Sequence, residues 1–126
     1  MTNKNNILFR DLSYQIIGLA FKVHAKIGAS LPEHVYHHSL EQELLASGIP
    51  YTSQECHQVY YNGSNVGHFF TDIILDNKII LELKSTDCIT QGHQSQLLTY
   101  LRVTGLHVGY LLNFGSKSLC FKRLVL

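Results

Sequence analysis

The sequence predicts an α/β (α+β) domain in which the elements follow the order helix, helix, strand, strand, strand, helix, strand, strand. Three stretches carry apolar residues at helical spacing and run into glycine, which supplies the helices. The run from Phe69 to Ser85 is two near-continuous, isoleucine-rich apolar segments split by Asp76-Asn77, the pattern of a hairpin buried on both faces. At 126 residues, 45% of them hydrophobic and 15% charged, the chain is long enough for one core and too short for two, so a single domain over residues 1–126 is expected.

Taken in order, residues 1–10 read as a loose lead-in. From Asp11, an expected N-cap, Leu12, Ile16, Leu19, Ala20, Val23 and Ile27 recur at helical spacing as far as Gly28. Ser30-Leu31-Pro32-Glu33 opens a second helix with Val35, Leu40 and Leu44 inward, and Gly48 and Pro50 lie beyond its end. Tyr51–Tyr61 and Val66–Leu75 flank Asn62-Gly63-Ser64-Asn65, read as a four-residue loop between two strands; poor alternation in the first strand puts it near an edge. After the central hairpin, a loop from Ser85 to Ile89 leads into a helix from about Gln91 to Thr104, with Leu97, Leu98 and Leu101 defining its inward side and Gly105 its stop. Strands at about Leu106–Asn113 and Ser118–Val125, joined by Phe114-Gly115-Ser116-Lys117, complete the chain.

Asp72, Glu82 and Lys84 are set into the apolar hairpin. An unpaired charge there costs several kcal/mol, so the three form either a compensated ion pair or a site. Glu82 and Lys84 share one strand face and Leu81 and Leu83 the other. A two-residue loop at Asp76-Asn77 would set Asp72 opposite Leu81. A three-residue loop through Lys78, with Asn77 left-handed, sets Asp72 opposite Glu82 instead, with Cβ atoms about 4.5–5.5 Å apart. Carboxylates held that close repel unless a cation lies between them, and hard oxygen donors suit Mg2+ or Mn2+.

Asp72, nine intervening residues, then Glu82-Leu83-Lys84 resembles the active-site signature of the PD-(D/E)XK nuclease superfamily. The surrounding sequence resembles its GxxExxY branch, through Ser30-Leu31-Pro32-Glu33-His34-Val35-Tyr36, Gln96-Leu97-Leu98-Thr99-Tyr100-Leu101 and Val108-Gly109-Tyr110-Leu111-Leu112-Asn113-Phe114-Gly115, and extends from about Tyr14 to the C-terminus. Ser30 stands where that motif has its first glycine. The resemblance implies a restriction-endonuclease-like αβββαβ core, a central mixed β-sheet flanked by helices. It also implies a metal-dependent nuclease that hydrolyses phosphodiester bonds of nucleic acid, with DNA as the expected partner. Asp72, Glu82 and the backbone carbonyl of Leu83 would hold Mg2+ or Mn2+, which acidifies a water and neutralises charge on the scissile phosphate. Lys84 would orient that water or stabilise the transition state.

Glu33 has two readings: reaching back to the Ser30 amide in a capping box, or, as the resemblance implies, lying beside Asp72 and Glu82. Gln96 and Tyr100 are similar to the Gln-x-x-x-Tyr of RecB-like nucleases, in which the Gln supports the site and the Tyr approaches substrate. The inward leucines, however, would leave both off the sheet. His93, a turn before Gln96, together with Tyr36 and Arg102, completes the expected substrate contacts.

A net charge of +1 announces no nucleic-acid partner by itself, and Lys22, Lys26, Arg102, Lys117, Lys122 and Arg123 form no tract. Since one site addresses one strand, cutting a duplex calls for a homodimer or a partner's guidance. Cys56, Cys88 and Cys120 are odd in number and far apart, as in a reduced chain without a structural zinc. With no signal-peptide core and no apolar run of about 18 residues, a cytoplasmic protein without a membrane span is expected. Among the eight histidines, His34 and His38 are spaced to grip one metal but have no evident third ligand. His68 lies about 13 Å of strand from Asp72, too far to share a metal. The alternative from another class is a non-catalytic nucleic-acid-binding or assembly module that keeps the fold; the intact Asp72, Glu82 and Lys84 favour the enzyme.

Overall fold

The computed structural model describes residues 7–126, so the polar lead-in over residues 1–6 lies outside the described residues. Helices α1 (Arg10–Ile27) and α2 (Glu33–Ser47) precede strands β1 (Tyr51–Tyr61), β2 (Ser64–Leu75) and β3 (Ile79–Lys84), followed by α3 (Gln91–Thr104), β4 (Val108–Asn113) and β5 (Cys120–Val125). The strands form one mixed sheet in the order β1-β2-β3-β4-β5. β3 and β4 are parallel, because α3 carries the chain back across the sheet; the other neighbours are antiparallel. β1 is an edge strand, as its sequence suggested.

Strand alternation sorts the core into two layers. Ile73, Leu75, Ile79, Leu81 and Leu83 pack with Ile16 and Ala20 of α1 and Leu40 and Leu44 of α2. Ile74, Ile80 and Leu111 pack on the opposite face against Leu97 and Leu101 of α3. Helices on both faces explain why β2 and β3 read as unbroken apolar runs. No helix among the described residues is long and apolar enough to cross a membrane.

Two local expectations change, and a third holds. Residue Phe9, not Asp11, occupies the N-cap of α1, and Asp11 lies in the first turn, where its charge favours the helix dipole. The β1–β2 loop has two residues rather than four: Tyr61 pairs with Ser64, and Asn62 and Gly63 have φ of 50° and 80°, as a type I′ turn needs. Ser64 and Asn65 therefore belong to β2. Between β2 and β3, Leu75 pairs with Ile79 and the Lys78 amide donates to the Leu75 carbonyl at 2.8 Å, with Asp76 and Asn77 both left-handed. This is the three-residue connection that Asp72 requires to meet Glu82.

Beyond β3 the chain is pinned by buried Asn113. Its Oδ1 accepts from the Thr86 and Gly115 amides at 3.0 and 3.1 Å, and its Nδ2 donates to the Thr86 carbonyl at 2.9 Å. Any Cβ at Gly115 would collide with the Thr86 backbone, so glycine is required for this close approach. The clamp fixes where β3 ends, and hence where Lys84 lies relative to α3.

Candidate active site

The β2–β3 ladder runs through Leu75–Ile79, Ile74–Ile80 and Ile73–Leu81, and there it stops. One step further, Asp72 and Glu82 exchange side-chain hydrogen bonds across the gap. Glu82 Oε2 accepts from the Asp72 amide and Asp72 Oδ2 accepts from the Leu83 amide, each at 2.8 Å. Carboxylates thus satisfy amides that would otherwise be orphaned. On the other side of β2, Gln54 lies between the Ser53–Ile73 and Glu55–Thr71 pairs, opposite Asp72, with φ of 52°. A left-handed non-glycine residue inside a strand costs about 1–2 kcal/mol, the kind of strain that gathers at functional sites. Gln54 was not a sequence candidate; no Gly, Asn or Asp near it signals the conformation.

Negative charge accumulates here. Glu82 is only 4% exposed, and burial followed by the charge of Asp72 pushes its carboxyl up to about 8. Burial also raises Glu33; Lys84 draws it down and Asp72 pushes it up. The capping box does not form: Glu33 is the first residue of α2, Pro32 holds the cap position, and no side chain bonds there. Ser30 instead has φ of 67° and donates through Oγ to the Gly115 carbonyl at 2.9 Å. This left-handed conformation, not capping, is what a glycine at the same motif position would serve.

Helix α3 supplies the opposite wall. Contrary to the expectation from its leucines, its Gln96–Tyr100 side meets the sheet. Gln96 Oε1 lies 3.5 Å from Lys84 Nζ, and Tyr100 stacks on Phe69 of β2 at 4.2 Å between ring centroids. Burial and then the charges of Glu82 and Asp72 raise the Tyr100 hydroxyl, keeping it protonated. His93 and Thr90 form the helix's capping box: the Thr90 amide donates to His93 Nδ1 and the His93 amide donates to Thr90 Oγ1, each at 3.1 Å. Burial and nearby Lys84 lower the His93 pKa, so the ring remains neutral with Nε2–H free.

Two expected substrate contacts lie elsewhere. Tyr36 is fully buried and stacked on Phe114 at 4.4 Å; its hydroxyl donates to the Gly28 carbonyl and accepts from the Leu31 amide, so it is scaffold. Arg102 is exposed in the last turn of α3, six residues beyond Gln96 and about 120° round the helix from it. Leu83 buries its side chain beneath α1 and α2 while its backbone faces Asp72.

A cleft of about 370 Å³ opens over Asp72 and Leu83, bounded by Glu33, Ser53, Gln54 and three histidines of α2. His34 and His38 stand at its side with ring centroids 6.3 Å apart. His37, buried and unforeseen, ties α2 to β1 through Nε2 and Ser53 Oγ at 2.6 Å. Among the described residues no three His, Cys, Asp or Glu side chains form a ready metal cluster. The site's donors suit a harder ion: two opposed carboxyl groups with a third nearby offer hard oxygens once Glu82 gives up its proton. Mg2+ is commonly held by one or two carboxylates and keeps several waters.

A family model described as the PD-(D/E)XK nuclease superfamily matches residues 10–124. Among solved structures, that of SSO0001 is similar in fold, with a TM-score of 0.56 and 17% identity over 73% of this chain. This chain spans 48% of that protein, about half its length. No curated protein matches the sequence.

Proposed function

The chain belongs to the PD-(D/E)XK nuclease superfamily, and from that premise we propose that it hydrolyses phosphodiester bonds of nucleic acid, DNA foremost, using Mg2+ or Mn2+. The observation that carries this reading is the interrupted ladder, where Asp72 and Glu82 are held face to face by exchanged backbone bonds. We also assign the chain to the GxxExxY branch; left-handed Ser30 at the glycine position and Tyr36 as a buried brace support that assignment.

Asp72, Glu82 and the Leu83 carbonyl would hold the cation, which when bound activates water and screens the phosphate charge. The remaining roles belong to side chains. Lys84, one pleat from Glu82 and steadied by Gln96, directs its ammonium at the attacking water or at charge developing on phosphorus. Tyr100 and neutral His93 donate hydrogen bonds to phosphate oxygens through O–H and Nε2–H. Glu33, reaching in from α2, accepts a proton from water.

Isothermal titration of Mg2+ and Mn2+ into metal-stripped protein tests the pocket, comparing wild type with Asp72→Ala and Glu82→Ala. Binding lost in both variants, with DNA cleavage lost in parallel, is the expected result. One observation favours the second reading, a non-catalytic nucleic-acid-binding module: Asp72 and Glu82 each spend one carboxylate oxygen on a backbone amide, a bracing role that needs no cation. Oligonucleotide binding that is indifferent to both substitutions, with no cleavage under any cation, would put that reading first.

A further inference from the structure

Residues 56–71 contain no Asp, Glu, Lys or Arg. They form the outer part of the β1–β2 hairpin, beyond the reach of β3, which pairs with β2 only from Ile73 to Leu75. Directly opposed residues share a face. Cys56 lies opposite Phe70 and Gln58 opposite His68, along the hairpin beyond Gln54 and Asp72. At the shift between Val59 and Tyr60 the extra residue is Val66 of β2, so β1 keeps its alternation and Tyr60 extends the same row. Phe70 is 49% exposed and Tyr60 65%; His68 is exposed and edge-on to Phe70 with centroids 5.6 Å apart. The other face is anchored, because His57 stacks on Phe69 and Phe69 on Tyr100 of α3.

An aromatic row without charge therefore leads about 20 Å away from Asp72. Duplex binding rests on basic groups that neutralise phosphates, and this row has none. Unpaired bases instead offer π faces that stack on exposed rings whatever their sequence. A strand from a second copy is a poorer occupant: left-handed Gln54 interrupts the outer edge of β1 that it would have to pair with.

We propose that Phe70, His68 and Tyr60 are a stacking platform for unpaired bases, so that the substrate is single-stranded or locally melted nucleic acid rather than intact duplex. The inference rests on the nuclease reading for its direction, but binding alone tests it. Anisotropy of a labelled single-stranded oligonucleotide and of its duplex, titrated with the whole chain without divalent cation, should favour the single strand at least tenfold. Phe70→Ala and Tyr60→Ala should each weaken single-strand binding about 5- to 150-fold, given 1–3 kcal/mol per stacked base, with no change in Tm or salt slope. Phe70→Tyr should retain affinity and Phe70→Leu should lose it. Equal affinity for duplex and single strand, or a Phe70→Leu variant that binds like wild type, overturns the proposal. So does a dimer that dissociates on Phe70→Ala while single-strand affinity is unchanged. Aromatic-dependent single-strand binding without cleavage on adding Mg2+ supports the platform while removing the nuclease reading.

Discussion

The two ends of the β2–β3 hairpin share the same pair of strands but are built on different chemistry. At the turn end, Ile73, Ile74 and Leu75 pair with Leu81, Ile80 and Ile79, backbone to backbone, with apolar side chains on both faces. At the open end, side-chain carboxylates take over the bonds and Asp72 faces a cleft bordered by α2. Stability in this hairpin is therefore concentrated at one end and the proposed chemistry at the other. The cost of the open end is borne by the apolar layers beside it.

Substitutions at the two ends should separate these properties. The largest effect is expected on turnover: Asp72→Asn should reduce phosphodiester hydrolysis by about 10³-fold or more, equivalent to roughly 4 kcal/mol of barrier. Leu81→Ala should leave metal binding intact while costing about 2–5 kcal/mol of stability in a urea titration. If the two variants lose activity and stability in the same proportion, the division between the ends is wrong.

The pH dependence sharpens the same contrast. In the metal-free folded protein Glu82 holds its proton up to about 8, whereas in the unfolded chain it ionises near the ordinary 4.5. The folded state therefore binds the extra proton between those values, and this contribution, on the order of a few kcal/mol, is fully present below about 4.5 and lost as pH rises through 8. A cation held by Glu82 must displace that proton. Calorimetry at pH 7 in two buffers of different ionisation enthalpy should report release of about one proton, with affinity strengthening up to tenfold per pH unit below 8. No proton release would exclude Glu82 as a ligand.

Smaller effects are expected at the two left-handed residues bordering the site. Gln54→Gly should raise stability by about 1 kcal/mol through relief of strain and lower kcat; unchanged kcat would make Gln54 only an irregularity of β1. Ser30→Gly relieves a similar strain but loses the hydrogen bond to Gly115, so its net gain should stay below about 1 kcal/mol in thermal denaturation.

The facing of Asp72 and Glu82 was legible in the sequence because strands have a period of two and Asn77 tolerates a left-handed turn. The element order followed from apolar spacing and glycine stops for the same reason: local rules act over a few residues. What escaped depends on tertiary placement. The leucines of α3 mark its buried stripe, yet the flanking Gln96 and Tyr100 still reach Lys84 and Phe69. Tyr36 lies three residues after Glu33, on the same side of α2, but its hydroxyl is drawn inward by the Gly28 carbonyl and the Leu31 amide. Ser64 and Asn65 resemble loop residues in composition, but Asn65 is held in the strand by its 2.6 Å bond to Gln58. Nothing local distinguishes Gln54.

The short β2–β3 connection also sets an order of events during folding. Only residues 76–78 separate the paired ends of this hairpin, whereas the parallel β3–β4 pairing must wait for the crossover over residues 85–107 to close. Contacts of small sequence separation form first. Asp72 and Glu82 thus come face to face before α3 has brought Gln96 to Lys84, and the burial that chiefly raises the Glu82 carboxyl follows only as the helices pack.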